Sequence, residues 1–274
     1  MSKSPNKSFA RKQQQLHSDG VPHAVATVVR TISSTAAKPG MKAIVLENGE
    51  FNQGWLGGGC VTTAVRKAAK TAIKTGVATL VCLRPEELID HEKSQNMVTI
   101  ARNGCPSKGS LDIFVEPVVP LPELLIFGSG PVAISLLEIA YGFGFKVIYC
   151  GTNDELKVKA DQYLSSISEI QQITPDGSDK YLVIATQGVN DVATLISALS
   201  VNPSYISFVG SRRKFASYHN KLLDAGIKQK AISEVKSPAG LNINAVTPEE
   251  IALSIMAEIV QVRRTTKIIE TIDE

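Results

Sequence analysis

The chain has 274 residues, of which 43% are hydrophobic and 20% are charged. These proportions are ordinary for a soluble globular protein, and the length suffices for one large or two modest domains. With 29 Lys and Arg against 26 Asp and Glu, the formal net charge is +3. A charge this small does not predict binding to nucleic acid or another polyanion.

The sequence also indicates in which cellular compartment the protein is expected. No apolar stretch is long enough for a membrane helix, and residues 1–5 lack the apolar core of a signal peptide. The four cysteines show no Cys-x-x-Cys spacing, so the sequence predicts neither a zinc site nor a disulfide framework. We therefore expect a cytoplasmic protein without a membrane or nucleic-acid partner.

Residues 1–120 predict a smaller α+β domain. A polar tail leads into a short surface helix, and Asn48-Gly49 predicts a hairpin turn between two strands. A helix begins near Cys60, because the apolar residues that follow fall on one helical face, and Gly76 is placed to end it. The predicted strands lie at residues 21–30, 41–47, 51–56, 77–83 and 111–116. Residues 84–92 are predicted to form a polar connection.

Residues 121–264 predict a Rossmann-like domain with a parallel sheet. Before it, Pro117, Pro120 and Pro122 exclude regular structure and mark a linker or an edge, where we place the domain boundary. The apolar run at 124–127 predicts a buried strand that ends in Gly128-Ser129-Gly130-Pro131-Val132-Ala133. Its glycines allow a tight turn and a close approach of the backbone to a ligand, and the following helix offers free amides to an anion. A second strand at 147–150 completes a βαβ unit.

A second group of candidate residues follows the last predicted strand of this domain. Further strands are predicted at 181–186 and 205–209, with a helix at 191–199 between them. Parallel strands present their carboxyl ends at one edge of a sheet, where ligands bind. The candidates for an anion pocket at this edge are Gly128, Ser129, Gly130, Ser211, Arg212 and Arg213. A solvated first helical turn is the alternative for the basic residues.

The C-terminal segment begins with a sequence pattern that predicts the start of a helix. Thr247-Pro248-Glu249-Glu250 is typical of a helix start, with Thr247 as N-cap and Glu250 as the carboxylate that returns to the backbone. Residues 265–274 are predicted to form a frayed tail.

Two cysteines lie where a thiolate is favoured. Cys60 follows Gly58 and Gly59 at the start of a predicted helix, where free amides stabilise negative charge, and a thiolate attacks electrophiles and binds metals. A small buried residue among close-packed glycines is the alternative. Cys105 lies on a predicted loop with Lys108 nearby, and a shielded turn cysteine is its alternative.

Four stretches, in this order along the chain, resemble the XdhC/CoxI family of accessory proteins for molybdenum hydroxylases such as xanthine dehydrogenase and aerobic carbon monoxide dehydrogenase. The stretches are residues 26–30 with 39–42, Gly57-Gly58-Gly59-Cys60, residues 114–117 running into 124–128, and residues 209–214 continued by 240–245 and 247–258. Together they extend from about Val25 to Arg263.

The resemblance implies that the chain holds a molybdenum cofactor for sulfuration and insertion into a hydroxylase. In this interpretation the Rossmann-edge candidates bind the phosphate of the molybdopterin, and soft thiolates bind at its metal end. Cys60 is the candidate molybdenum ligand, beside Gly58 and Gly59, and Cys105 is a second cofactor-binding candidate. A hydroxylase apoenzyme is the implied partner and a homodimer the implied assembly, while docking of a cysteine desulfurase stays open.

The chain departs from the family pattern at three positions. Pro131 stands where members often have His, and Thr62 stands where many have Glu. No acidic residue directly follows Cys150, where an acid would bind the ribose of a dinucleotide. NAD(P) is therefore disfavoured as a cofactor. An NAD(P)-dependent oxidoreductase is the second hypothesis, and a non-catalytic Rossmann scaffold or regulatory dimer is the third.

Overall fold

The computed structural model describes residues 5–33, 35–89, 97–104, 108–151, 159–170 and 179–272. The chain divides into two compact units, Met1–Pro120 with Glu270–Glu274 and Leu121–Ile269. None of the described helices combines the length and the apolar character needed to cross a bilayer.

The first unit is built on a six-stranded mixed sheet. Its elements are α1 (Pro5–Ser18), β1 (His23–Ile32), β2 (Lys42–Leu46), β3 (Phe51–Gly54), α2 (Gly59–Thr75), β4 (Thr79–Arg84), α3 (Glu86–Ile89), β5 (Val98–Arg102) and β6 (Ser110–Val118). The strands lie in the order β3-β2-β1-β6-β4-β5. Only the β4–β5 pair of this sheet is parallel.

The core of the first unit lies between α2 and one face of its sheet. Ala24 and Ala26 of β1 and Val65 and Ala69 of α2 belong to this core, and each is fully buried. These small side chains let the helix pack close to the strands, and the buried apolar surface contributes about 25 cal/mol per Å². The helix ends at Gly76, whose left-handed φ of 67° confirms the predicted C-terminal cap.

One expectation for this unit was wrong. Pro117, which was expected to exclude regular structure, lies in β6 opposite Ala24 of β1. The pairing of β6 with β4 ends at Val115, so at Pro117 the strand has a neighbour on one side only, where a missing N–H is tolerated. The polar connection predicted after β4 includes the short helix α3, none of whose residues is buried.

The second unit is built on a five-stranded parallel sheet. Its elements are β7 (Glu123–Phe127), α4 (Pro131–Ala140), β8 (Lys146–Cys150), β9 (Gln162–Leu164), a 3₁₀ turn (Ile167–Glu169), β10 (Lys180–Ile184), α5 (Asp191–Ser200), β11 (Tyr205–Phe208), α6 (Arg212–Ala216), α7 (His219–Asp224), α8 (Gln229–Glu234) and α9 (Pro248–Ile272). The strand order β11-β10-β7-β8-β9 corresponds to the first five strands of the Rossmann order 3-2-1-4-5-6. The predicted fold class is confirmed.

Helices cover both faces of this sheet, which explains why β7 is apolar along its length. Helices α4 and α9 pack on one face, and α5, α7 and α8 pack on the other. Every residue of β7 is buried, as expected for a central parallel strand. The one acidic residue of β7, Glu123, accepts a hydrogen bond from Lys146 Nζ at 3.1 Å.

Helix α9 begins as predicted and ends later than predicted. The Glu250 amide donates to Thr247 Oγ1 at 3.3 Å, and the Thr247 amide donates to Glu250 Oε2 at 3.0 Å, which confirms the capping box. The prediction of a frayed tail from residue 265 was wrong, because the helix continues to Ile272. Residues 265–272 contain no glycine or proline that would end it.

Candidate functional site

Cys60 lies in the first turn of α2, directly after the glycine turn. Gly58 is the N-cap and has no side chain, so it makes no cap hydrogen bond, and the first turn contains no acidic residue. The amides of this turn and the positive end of the helix dipole therefore favour a negatively charged group. The Cys60 thiol is exposed and free.

A cavity of about 220 Å³ opens beside Cys60 within the first unit. Residues 57–59 contribute its backbone wall, and Leu56 and Leu111 contribute apolar side chains. Asn103 also lines the cavity and is buried, and its Nδ2 donates to the Gly109 carbonyl at 2.6 Å. The thiol thus lies next to a mostly apolar space with a fixed amide on its wall.

The three glycines before Cys60 are not equivalent. Gly57 has a φ of 138°, and a Cβ there would lie 3.1 Å from Val61 Cγ2, so its conformation requires glycine. A Cβ at Gly58 or Gly59 would meet no atom within 4 Å. Packing against the described residues therefore does not account for Gly58 and Gly59, which leave the backbone beside Cys60 open on that side.

The loop that carries the second cysteine begins next to Cys60. A Cβ at Gly104 would lie 3.5 Å from Cys60 Sγ, an ordinary van der Waals contact. Cys105 itself lies outside the described residues. Lys108, which the sequence placed near Cys105, forms an exposed ion pair with Glu87 Oε1 at 2.5 Å.

A buried ion pair, not anticipated from the sequence, lies at the end of the strands near this cavity. Arg84 Nη1 and Asp112 Oδ1 are 2.6 Å apart, and Arg30 Nε lies 2.6 Å from Asp112 Oδ2. Burial raises the pKa of Asp112, but the hydrogen bonds from Arg84 and Arg30 outweigh it and hold the pKa below its ordinary value. Arg84 also donates to the carbonyl of Leu111 at 3.3 Å, which fixes a residue of the cavity wall.

The glycine turn of the second unit lies where the strand order reverses, between β7 and β10. Gly128 has a φ of 122°, and a Cβ there would lie 2.1 Å from the Ala185 carbonyl oxygen. Its amide already donates to the Cys150 carbonyl at 2.9 Å. A Cβ at Gly130 would lie 2.4 Å from Gln187 Cδ. Gly128 is therefore required for packing against the backbone after β10, whereas at Gly130 only the end of the Gln187 side chain occupies the Cβ position.

The remaining residues predicted for this edge are also placed. Ser129 lies beside the hydroxyl of Tyr149. Burial raises the pKa of that hydroxyl above its ordinary value, and Ser129 offsets part of the rise. Ser211 is the N-cap of α6, and its Oγ accepts a hydrogen bond from the Lys214 amide at 3.2 Å. Arg212 and Arg213 are exposed in the first turn of that helix.

Asp191, which the sequence identified only as a helix start, connects these segments. Its Oδ1 accepts hydrogen bonds from Thr186 Oγ1 at 2.5 Å and the Gly188 amide at 2.9 Å. Its Oδ2 lies 2.8 Å from the Tyr218 hydroxyl and 2.7 Å from Lys214 Nζ. Burial raises the pKa of Asp191, but these donors, Lys214 first among them, outweigh it and lower the pKa.

The structure therefore places the two predicted parts of the anion pocket on one carboxyl edge. The turn at 128–130 packs against the loop at 185–188, and Asp191 ties that loop to Lys214, the residue after Arg213. Binding of an anion there stays a prediction.

Fold and site together define a class of protein: a parallel Rossmann unit preceded by a mixed-sheet unit that presents a cysteine at a helix start. The family model of the XdhC Rossmann domain matches residues 124–259, and that of the XdhC and CoxI family matches residues 16–83. The chain belongs to the XdhC and CoxI family.

Individual relatives agree with this assignment. Over 171 residues the chain is 34% identical to a probable xanthine dehydrogenase subunit of Bacillus subtilis (strain 168), covering 58% of this chain and 48% of that protein. Over 259 residues it is 26% identical to the uncharacterized protein YqeB of Escherichia coli (strain K12), covering 91% of this chain and 45% of that protein. The chain thus spans about half the length of the curated relatives it matches.

Among solved structures, a crystal structure of a xanthine dehydrogenase from Bacillus halodurans is similar to this chain. The TM-score is 0.45 and the sequence identity is 20%, with 93% of this chain and 95% of that chain covered.

Proposed function

We propose that this chain is an accessory protein that binds the molybdenum cofactor and holds it for sulfuration and insertion into a molybdenum hydroxylase of the xanthine dehydrogenase or carbon monoxide dehydrogenase type. It acts as a cofactor chaperone and does not turn over a free metabolite. The cavity beside Cys60 carries the proposal, and family membership and the name of the Bacillus subtilis relative support it.

The residues around Cys60 fit the metal end of such a cofactor. The bound cofactor supplies a molybdenum centre that already has dithiolene sulfur ligands. The described residues contain no group of three or more His, Cys, Asp and Glu side chains placed to hold a metal ion. A single thiolate from Cys60 suits a metal that brings its own soft ligands, and the open backbone at Gly58 and Gly59 leaves room for the bound group.

The carboxyl edge of the second unit, taken by itself, suits a phosphate group. Gly130, the N-cap of α4, has no side chain to satisfy the first amides of the helix, which therefore attract an anion. Arg212 and Arg213 supply positive charge, and neither forms an ion pair within the described part of the chain. In this role Ser129 and Ser211 contribute polar groups beside the phosphate.

The test is metal and pterin analysis of the chain purified from a molybdenum-replete host. We expect the wild type to contain both, and Cys60→Ala to lose molybdenum by more than about tenfold. Cys150→Ala, which removes a thiol of the second unit, is the matched control and should retain the wild-type content. Circular dichroism establishes that both variants are folded.

Undiminished molybdenum in Cys60→Ala would exclude the ligand role. The oxidoreductase hypothesis is tested on the same preparations by titration with NAD(H). Tight nicotinamide binding together with hydride transfer would replace the proposal. A stable dimer that binds neither cofactor would favour the scaffold hypothesis.

A further inference from the structure

Helix α2 carries a row of exposed cations along its outer face. The α2 basic stripe consists of Arg66, Lys67, Lys70 and Lys74, and all four side chains are exposed. At 3.6 residues per turn they fall within about 100° of the helix circumference and span about 12 Å of its length. The 17 residues of α2 include no aspartate or glutamate.

The stripe forms no direct ion pair with the residues that the structure describes. Arg66 Nε donates to the carbonyl of Gly49 at 3.0 Å, which adds no negative charge. Like charges four residues apart, such as Arg66 with Lys70 and Lys70 with Lys74, destabilise a helix. Acidic groups from outside would relieve this repulsion.

The excess of positive charge belongs to this half of the chain. Residues 1–120 contain 15 Lys and Arg against 9 Asp and Glu, whereas residues 121–274 contain 14 against 17. The stripe therefore does not simply reflect a basic protein, and it lies on the helix that begins beside Cys60. Arg66 follows Cys60 by six residues, about 9 Å along the helix axis.

We infer that the α2 basic stripe is the docking surface for an acidic face of a protein partner. The inference rests on the proposed function, which makes that partner the hydroxylase apoenzyme. A partner bound along α2 lies next to the helix start that presents Cys60. Docking and cofactor release thus involve adjacent parts of one helix.

The features of α2 favour a protein partner over nucleic acid or a membrane. The stripe includes no aromatic side chain on which a base could stack. The apolar face of the helix, which includes Val65, Ala69 and Ala72, is buried in the core, so it is not available for insertion into a bilayer. Opposite charges across a protein interface instead fix orientation and accelerate association.

The experiment compares two triple variants of the full chain that remove equal charge from two helices of the first unit. One carries Lys67→Gln, Lys70→Gln and Lys74→Gln on α2. The matched control carries Lys7→Gln, Arg11→Gln and Lys12→Gln on α1. Affinity for the purified hydroxylase apoenzyme of the same organism is measured by calorimetry at low and high salt.

We expect the α2 variant to bind the apoenzyme about tenfold more weakly and the α1 variant to bind like the wild type. High salt should weaken the wild-type complex more than that of the α2 variant. Equal losses in both variants, an unchanged α2 variant or no complex with the wild type would overturn the inference. The inference would also be overturned if the wild type bound double-stranded DNA or phosphatidylserine vesicles through the α2 basic stripe and did not bind the apoenzyme.

Molybdenum and pterin content separates this inference from the proposed function. The α2 variant keeps Cys60 and its cavity, so we expect its cofactor content to equal that of the wild type. A wild type that binds the apoenzyme through α2 but never contains cofactor would contradict the chaperone role and leave the docking surface standing. A wild-type chain that contains cofactor but binds the apoenzyme through another surface would contradict the docking inference and leave the chaperone role standing.

Discussion

The two units each contain a glycine turn that leads into a helix, and the two turns use their glycines differently. In the second unit, the missing side chains of Gly128 and Gly130 make room for the Ala185 carbonyl and the Gln187 side chain. In the first unit, a Cβ at Gly58 or Gly59 would meet none of the described residues within 4 Å.

This difference shows that a glycine turn in a sequence has two physical meanings. Because glycine has no Cβ, another group can lie close to its backbone, and that group is either a neighbouring loop of the protein or a bound molecule. The Rossmann turn is the more familiar motif, yet its Gly128 is accounted for by packing against backbone. The turn before Cys60 has two glycines that no described residue packs against, next to an exposed thiol. Three substitutions test the contrast.

The largest effect is expected for Gly128→Ala. A side chain there must adopt a left-handed φ of 122° with its Cβ 2.1 Å from a backbone oxygen, which should cost about 3 kcal/mol of unfolding free energy. Urea unfolding followed by far-ultraviolet circular dichroism measures this loss. Trp55, the only tryptophan of the chain, lies in the first unit and reports that unit separately by fluorescence.

The matched control for this substitution is Gly142→Ala in the same unit. Gly142 has no left-handed φ, and a Cβ there would meet no atom within 4 Å. We expect its unfolding free energy to stay near the wild-type value. If Gly128→Ala were as stable as Gly142→Ala, the turn at 128–130 would not depend on close packing against the Ala185 loop.

A smaller effect is expected for Asp191→Asn, which tests how the loop against Gly130 is held. The neutral amide cannot pair with Lys214 and accepts at only one atom, so Tyr218 or Thr186 loses its partner. We expect a loss of about 2 kcal/mol of unfolding free energy at neutral pH. Asp224→Asn, at an exposed acid of the same unit, is the control and should be neutral.

The loss in Asp191→Asn should depend on pH. The folded pKa of Asp191 lies below its ordinary value, so between the folded pKa and the unfolded value of about 3.9 the unfolded chain binds more protons. Its contribution is therefore fully present above the unfolded pKa and is lost as the pH falls through the folded pKa. Urea unfolding at neutral and acidic pH should show wild type and variant converging in acid. A constant difference would contradict the ionised role of Asp191.

The parts of the fold that the sequence predicted depend on residues close together in the chain. The buried strand before Gly128, the cap at Gly76 and the pair of Thr247 with Glu250 each involve a few neighbouring positions. Local backbone preferences and short hydrogen bonds determine such features, so their patterns are visible in the sequence.

The parts that the sequence missed depend on residues far apart in the chain. Asp191 meets Lys214 and Tyr218 only because β10 and β11 end at the same edge of the sheet. Arg84 and Asp112 meet only because β4 and β6 are neighbours. For the candidate site, the sequence placed Cys60 at a helix start but gave no sign that Gly104 lies against its sulfur. Such contacts follow from strand order, which no local pattern encodes.

The smallest effect on stability, and the sharpest test of the comparison, is expected for Gly59→Ala. Gly59 is the first residue of α2, has no left-handed φ and has open space at its Cβ position. Alanine there should leave the unfolding free energy unchanged or raise it by up to about 1 kcal/mol. Because Gly59 lines the cavity beside Cys60, the added methyl should nevertheless reduce the molybdenum content.

Gly59→Ala should thus behave in the opposite way to Gly128→Ala: its molybdenum content should fall while its unfolding free energy stays at or above the wild-type level. Urea unfolding and metal analysis on the same preparation measure the two effects. Full molybdenum content in Gly59→Ala would mean that the space beside Gly59 is not where the cofactor lies. The two turns would then differ only in packing, and the assignment of the metal end to Cys60 would lose its structural support.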